Sequence, residues 1–220
     1  MKHFLIGLVG IFIFGLLLWG SERTAIAYED GVASLSGAFG TYCNICHNGG
    51  SGSVPQVAVT GAATVAPSAT ASYMLAITST SPALQTVAGW DIMVAATYTD
   101  TLHAGVISGF DSGIAHLFNN ELTHNAPLAN DANGVATVNF DWTAPSTPGT
   151  YTIYFAGNSA NNNGMNGAGD HAAAGSFEVV VSAPTQVGFL AGSAETAPLH
   201  LWLLLAILLL LTFKKVRRRA

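Results

Sequence analysis

The hydrophobic pattern divides the 220-residue chain into two continuous apolar runs at its ends and an alternating middle. The first run, Phe4 to Trp19, follows Met1-Lys2-His3 and leads into Ser21-Glu22-Arg23-Thr24-Ala25-Ile26-Ala27. A positive start, an apolar stretch and small residues at Ala25 and Ala27 are the layout of a secretory signal. Residues 1–27 are therefore expected to be removed, with Tyr28 as the first mature residue. The second run, Leu199 to Phe213, is followed by Lys214-Lys215-Val216-Arg217-Arg218-Arg219. As a helix it would span about 22 Å against a bilayer core of about 30 Å, a gap that Pro198 and snorkelling lysines narrow. The basic cluster places the tail on the cytoplasmic side. The expected arrangement is an exported domain, in the periplasm or at the cell surface, held to a bacterial cell membrane by a single C-terminal helix. Such an ending also resembles bacterial C-terminal sorting signals, whose helix is removed by a protease.

Between these ends the pattern has period two. In Val135–Trp142, Val138, Phe140 and Trp142 alternate with Thr137, Asn139 and Asp141, which predicts a strand with one buried and one wet face. Further strands are predicted at Gln56–Thr60, Ala71–Thr78, Trp90–Tyr98, Gly105–Phe110, Gly113–Leu122, Thr150–Ala156 and Ser176–Ser182. Turn residues punctuate them, notably Asp131-Ala-Asn133-Gly134 and Pro145-Ser-Thr-Pro148-Gly149. Many short strands without a helical period predict an all-β fold, an antiparallel immunoglobulin-like β-sandwich over residues 55–184. Residues 28–54 form a Gly- and Ser-rich segment before it. A linker over 185–198, the transmembrane helix over 199–213 and a tail over 214–220 complete the expected organisation. Gly157 to His171 breaks the pattern and is predicted to be a long polar loop.

Half of the residues are hydrophobic and 9% are charged, a composition too apolar for a disordered chain. Between Ala27 and Pro198 there are eleven acidic side chains and no Lys or Arg. Such a surface cannot neutralise phosphates, which excludes nucleic acid as a partner and favours cations or a basic protein.

The two cysteines fall together in Cys43-Asn44-Ile45-Cys46-His47. Cys-x-x-Cys-His is the attachment sequence of c-type haem: two thiols bond to the porphyrin vinyl groups and the adjacent imidazole reaches the iron. Cys43, Cys46 and His47 are accordingly the expected haem-binding residues, with His47 an iron ligand. A Cys43–Cys46 disulfide is the alternative in an oxidising compartment, while a zinc site lacks a second cysteine pair. Because no helix is predicted around the motif, the sandwich itself would have to cover much of an unusually exposed haem. Candidates for the sixth iron position are His103, His116, His124, His171, Met74, Met93 and Met165, with His124 and Met165 carried forward. Asp131, Asn133, Asp170 and the Asn run offer hard oxygen ligands, a weaker indication of a cation site.

Leu122-Thr123-His124, Phe140-Asp-Trp142-Thr-Ala-Pro145, Gly149-Thr-Tyr-Thr-Ile-Tyr-Phe-Ala-Gly157-Asn158 and Gly169-Asp170, together with the Cys-x-x-Cys-His motif, resemble the bacterial choice-of-anchor V proteins, which are related to the Reeler domain. The resemblance covers most of residues 36–182. It implies an immunoglobulin-like sandwich with a variable C-terminal anchor, and it draws attention to His124 and Asp170. It implies no reaction. On the residues, the expected function is electron transfer by a membrane-anchored monohaem cytochrome with a basic redox partner. The alternatives are a haem-based sensor or ligand-binding module, and a non-haem adhesion or scaffold module with a Cys43–Cys46 disulfide. No nucleophile triad, paired-carboxylate constellation or phosphate loop argues for an enzyme.

Overall fold

The alternation at Val135–Thr143 is the register of the smaller of two sheets. The structure, a computed structural model, describes residues 28–98 and 102–183. Strands are numbered in chain order. The smaller sheet runs β2 (Gln56–Gly61), β4 (Thr70–Thr78), β10 (Val135–Thr143), β6 (Val106–Ser108). The larger runs β1 (Asn48–Gly49), β12 (Asp170–Val181), β11 (Gly149–Ala160), β5 (Val87–Ala95), β8 (Glu121–His124), β7 (Ala115–Phe118). In that sheet β3 (Thr64–Val65) lies beside β12 and β9 (Leu128–Ala129) beside β5. The strands pair antiparallel throughout except for β3, which runs parallel to β12. The architecture is the expected all-β sandwich.

Opposite Val138 and Phe140 on β10 stand Leu75 and Tyr73 on β4, so side chains of one parity from both strands enter the core. The Tyr73 and Phe140 rings stack with centroids 5.8 Å apart. From the larger sheet Trp90, Ile92, Leu122 and Ile153 fill the same interior. Each such side chain contributes about 1.5–3 kcal/mol by leaving water. Trp142 is buried without loss because its indole N–H donates to the Ala104 carbonyl at 2.8 Å.

β5 is buried at every position. Its even-numbered residues face the sandwich core, and the residues of the other parity are covered by the amino-terminal segment. There Ala38 and Phe39 pack on Met93, Ala95 and Tyr154. The near-continuous apolar run Val87–Ala95 reflects this double coverage. The segment is also tied by hydrogen bonds: the Ser34 N–H donates to Glu121 Oε2 at 2.9 Å and the Leu35 N–H to Asp91 Oδ2 at 2.8 Å.

Three expectations shift. The strand placed at Trp90–Tyr98 lies at Val87–Ala95. The stretch predicted as one strand, Gly113–Leu122, is the β7–β8 hairpin, because Asn119 and Asn120 take φ of 51° and 64° and reverse the chain. Two consecutive positive φ values are the signature of a two-residue hairpin turn, and Asn tolerates them better than most residues. The long loop expected over Gly157–His171 is confined to 161–169: β11 continues to Ala160 and β12 starts at Asp170, pairing Asn158 with Ala172 and Ser159 with His171. Polar residues there carry no alternation, yet their backbones are fully laddered. The expected signal peptide, linker, transmembrane helix and tail lie outside the described residues, among which no helix is long and apolar enough to cross a membrane.

Candidate functional site

The Cys-x-x-Cys-His motif forms one short helical turn, a 3-10 helix over Cys43–Ile45. The N–H groups of Cys46 and His47 return to the Cys43 carbonyl, at 3.3 and 3.0 Å. Glycines at positive φ on both sides, Gly40 and Gly50, let the chain turn sharply into and out of it. A Cβ on Gly50 would come within 2.5 Å of the Gly169 nitrogen, so the segment lies directly on the 161–169 loop.

Between this segment and the larger sheet lies a partly open pocket. Cys43, Cys46 and His47 line it, together with His124, Met165 and Asp170. Residues 43–47, 124, 165 and 170 are distant in sequence, and the topology brings them to one end of the sheet. β5 and β11 supply the floor at Gly89 and Asn158, where the Gly89 N–H donates to the Asn158 side-chain oxygen.

His47 Nδ1 lies 3.0 Å from Asp170 Oδ2, and that carboxylate is buried. His124 Nδ1 is held by the Trp90 backbone, 3.1 Å from its N–H and 3.2 Å from its carbonyl. Nδ1 accepts that N–H or donates to that carbonyl according to the ring's tautomer, and Nε2 lies against Gly89, 3.0 Å from where a Cβ there would stand. Burial holds His124 below the ordinary imidazole value, against the backbone of Trp90 and Tyr28, and the neighbouring charge of His47 adds to the depression. The ring is thus kept neutral, the form that ligates metal. Burial also pushes the Cys43 thiol well up, with the Asp91 carboxylate in support.

The donor set fits haem. Among the described residues no three His, Cys, Asp or Glu side chains converge to hold a metal ion by themselves, so a bare structural zinc site is not formed. Haem needs less from the protein, since the porphyrin supplies the equatorial nitrogens. Cys43 and Cys46 supply thiols that would bond its vinyl groups, and His47 and His124 supply imidazoles that would reach its iron; all four line this pocket. Gly89 leaves room for the His124 ring: a Cβ there would meet His124 Cε1 at 2.7 Å and Asn158 Oδ1 at 3.0 Å.

The other sequence candidates go elsewhere. Met93 is fully buried against Ala38 and Ala95, and Met74 lies on β4 of the other sheet. His116 Nδ1 pairs with Asn125 Oδ1 at 2.7 Å. His103 and His171 do not line the pocket, although His171 stands beside Asn48 in the β1–β12 pairing. The cation site anticipated at Asp131, Asn133 and Asp170 does not assemble. Asp131 Oδ1 accepts the N–H groups of Asn133 and Val135, both at 2.8 Å, which is turn chemistry, and Asp170 is engaged with His47. Sequence reasoning missed the roles of Gly89 and Trp90. Their signal was a Gly-Trp-Asp interruption inside an apolar run.

No protein-family model and no curated protein matches the chain, so the resemblance to choice-of-anchor V proteins rests on the residues quoted for it. Among solved structures the chain is similar to the human F-spondin reeler domain, with a TM-score of 0.40 and 12% identity over 60% of this chain and 95% of that one. It is also similar to the PKD domain of an M14-like peptidase from a Thermoplasmatales archaeon, with a TM-score of 0.33 and 16% identity over 60% and 100% of the two chains. A third likeness is to a Pyrococcus furiosus CARDB domain in complex with di-metal ions, with a TM-score of 0.32 and 14% identity over 64% and 98%. None of the three is described as a haem protein. The fold therefore rests on the strand pairing above, and the site on its own residues.

Proposed function

We propose that this domain carries one covalently attached haem and transfers single electrons at the outer side of a bacterial membrane. The observation that carries the reading is that the Cys43/Cys46/His47 motif opens into a pocket that also holds His124 and Met165. In it Cys43 and Cys46 would hold the porphyrin and His47 would ligate the iron. His124 and Met165 are the candidates that would fill the sixth position, Met165 from a half-exposed side chain on the 161–169 loop. Bound haem supplies the one-electron couple, and imidazole on both sides poises it lower than Met ligation would. With no Lys or Arg between Ala27 and Pro198, the propionates have no basic side chain there to pair with. A basic redox partner would meet an acidic surface.

A second reading keeps the fold and dispenses with haem: a surface module closed by a Cys43–Cys46 disulfide. The sandwich is compatible with it, since its core is complete without any ligand. One experiment separates the two. The chain is produced with cytochrome c maturation machinery, run on a denaturing gel and stained for haem. The haem reading expects a stained band, lost in the Cys43→Ala/Cys46→Ala double variant, and an altered reduced spectrum in His47→Ala. An unstained band and a disulfide by mass establish the surface module instead.

A further inference from the structure

We infer that Asp170 is a positioning residue for His47: its carboxylate fixes the imidazole tautomer and strengthens Nε2 as a donor to the haem iron. This deepens the haem reading and rests on it.

The inference begins with hydrogen-bond accounting around one buried group. Asp170 is 1% exposed, and its two oxygens have different partners. Oδ1 accepts the Asn161 N–H at 2.9 Å and Oδ2 faces His47 Nδ1 at 3.0 Å. An ionised carboxylate only accepts, so His47 must donate from Nδ1. A neutral ring then carries its lone pair on Nε2, the atom a metal would use. Ligating histidines characteristically hand their second N–H to a carboxylate or carbonyl in this way, which orients the ring and raises its basicity.

Backbone pairing makes the contact rigid. β1 pairs Gly49 with Asp170, which sets His47 beside the first residue of β12. The Gly169 N–H donates to the Gly49 carbonyl at 2.7 Å and the Asn161 side chain to the Ala168 carbonyl at 2.7 Å. The loop thus has ties of its own. A carboxylate is more than it requires, because an amide at 170 could still accept the Asn161 N–H. That amide would then turn its NH₂ toward His47 Nδ1 and drive the ring proton onto Nε2.

The test uses full-length protein matured with haem. Asp170→Asn is expected to keep the haem stain, because attachment runs through the cysteines, and to change the reduced-minus-oxidised spectrum. Its midpoint should rise such that the reduced-to-oxidised ratio at the unmodified protein's midpoint increases about tenfold, equivalent to 59 mV for one electron. Asn161→Ala removes a loop tie without touching the carboxylate–imidazole pair and is expected to leave the potential in place. Equal potentials in the unmodified and Asp170→Asn proteins, both haem-loaded, overturn the inference. So does an Asn161→Ala shift as large as that of Asp170→Asn, which would mark a merely structural role. An Asp170→Asn chain that does not fold transfers the decision to Asp170→Glu, which keeps the carboxylate: a potential nearer the unmodified value than that of His47→Ala supports the role, and one no nearer overturns it. Absence of stain in the unmodified protein overturns the haem reading itself and is distinguishable from all of these.

Discussion

At the scale of single residues the larger sheet hides a pair of acids with no base beside them. Asp91 and Glu121 are 1% and 2% exposed, and each accepts one N–H from the amino-terminal segment, which also brings the Cys43 thiol close to Asp91. Burial first, then the hydrogen bond and charge of Glu121, raise Asp91 well above the ordinary carboxyl range. The folded chain therefore keeps a proton that the unfolded chain releases above about pH 4. Its stabilising effect is complete below that pH and is lost as pH rises toward the folded-state value. Asp91→Asn preserves the shape and can donate to Glu121 without titrating. Denaturant midpoints measured from about pH 5 to about pH 8 should decline for the unmodified domain and stay flatter for the variant. Parallel curves would show that Asp91 retains no proton on folding. A second residue-scale expectation concerns Gly89, where an added methyl would press on His124. Gly89→Ala should shift the reduced haem spectrum in the same sense as His124→Ala while the haem stain persists. A spectrum that follows Met165→Ala instead would move the sixth position to the loop.

At the scale of elements, the β7–β8 turn is the place where pattern and structure part most instructively. Asn119 and Asn120 sit between Phe118 and Glu121, the closing pair of a two-residue hairpin. Asn120→Ala should destabilise by about 1 kcal/mol, since alanine pays the left-handed penalty without a side chain to offset it, whereas Asn120→Gly should not. Equal midpoints for the two variants would show that φ at this position costs little. The turn also places Glu121 against Asp91, so a local backbone choice feeds the buried acid pair. The strands with clean alternation, β4 and β10, were legible because one face is buried and the other wet. β5 was legible as apolar but misplaced by three residues at its start, because coverage on both faces erases the period. The ends of β11 and β12 were hidden because Asn158, Ser159 and Asp170 are buried polar residues, and Asn158 and Asp170 have hydrogen-bond partners elsewhere in the fold. Of the site, the motif itself could be read directly from its spacing. The His47–Asp170 contact could not, because only the β1–β12 register brings residues 47 and 170 together.

At the scale of the whole molecule, charge is distributed in a way that governs encounter rather than folding. Between Ala27 and Pro198 eleven acidic residues stand against no Lys or Arg, so the net field of that stretch has a single sign. Such a field concentrates cations and repels anions over roughly a Debye length, about 30 Å at 0.01 M salt and about 8 Å at 0.15 M. If the haem edge is the site of exchange, small inorganic oxidants can read that field without a protein partner. Stopped-flow oxidation of the reduced, haem-loaded protein by a cationic ruthenium ammine should slow as salt is added. Oxidation by ferricyanide should accelerate under the same change, because screening removes a repulsion. A basic redox protein would then follow the cationic reagent, with a larger effect because more charges meet. Equal salt dependence for both reagents would mean that the acidic residues lie away from the electron's exit, and that whatever takes the electron is chosen by shape at the pocket rim instead of by charge.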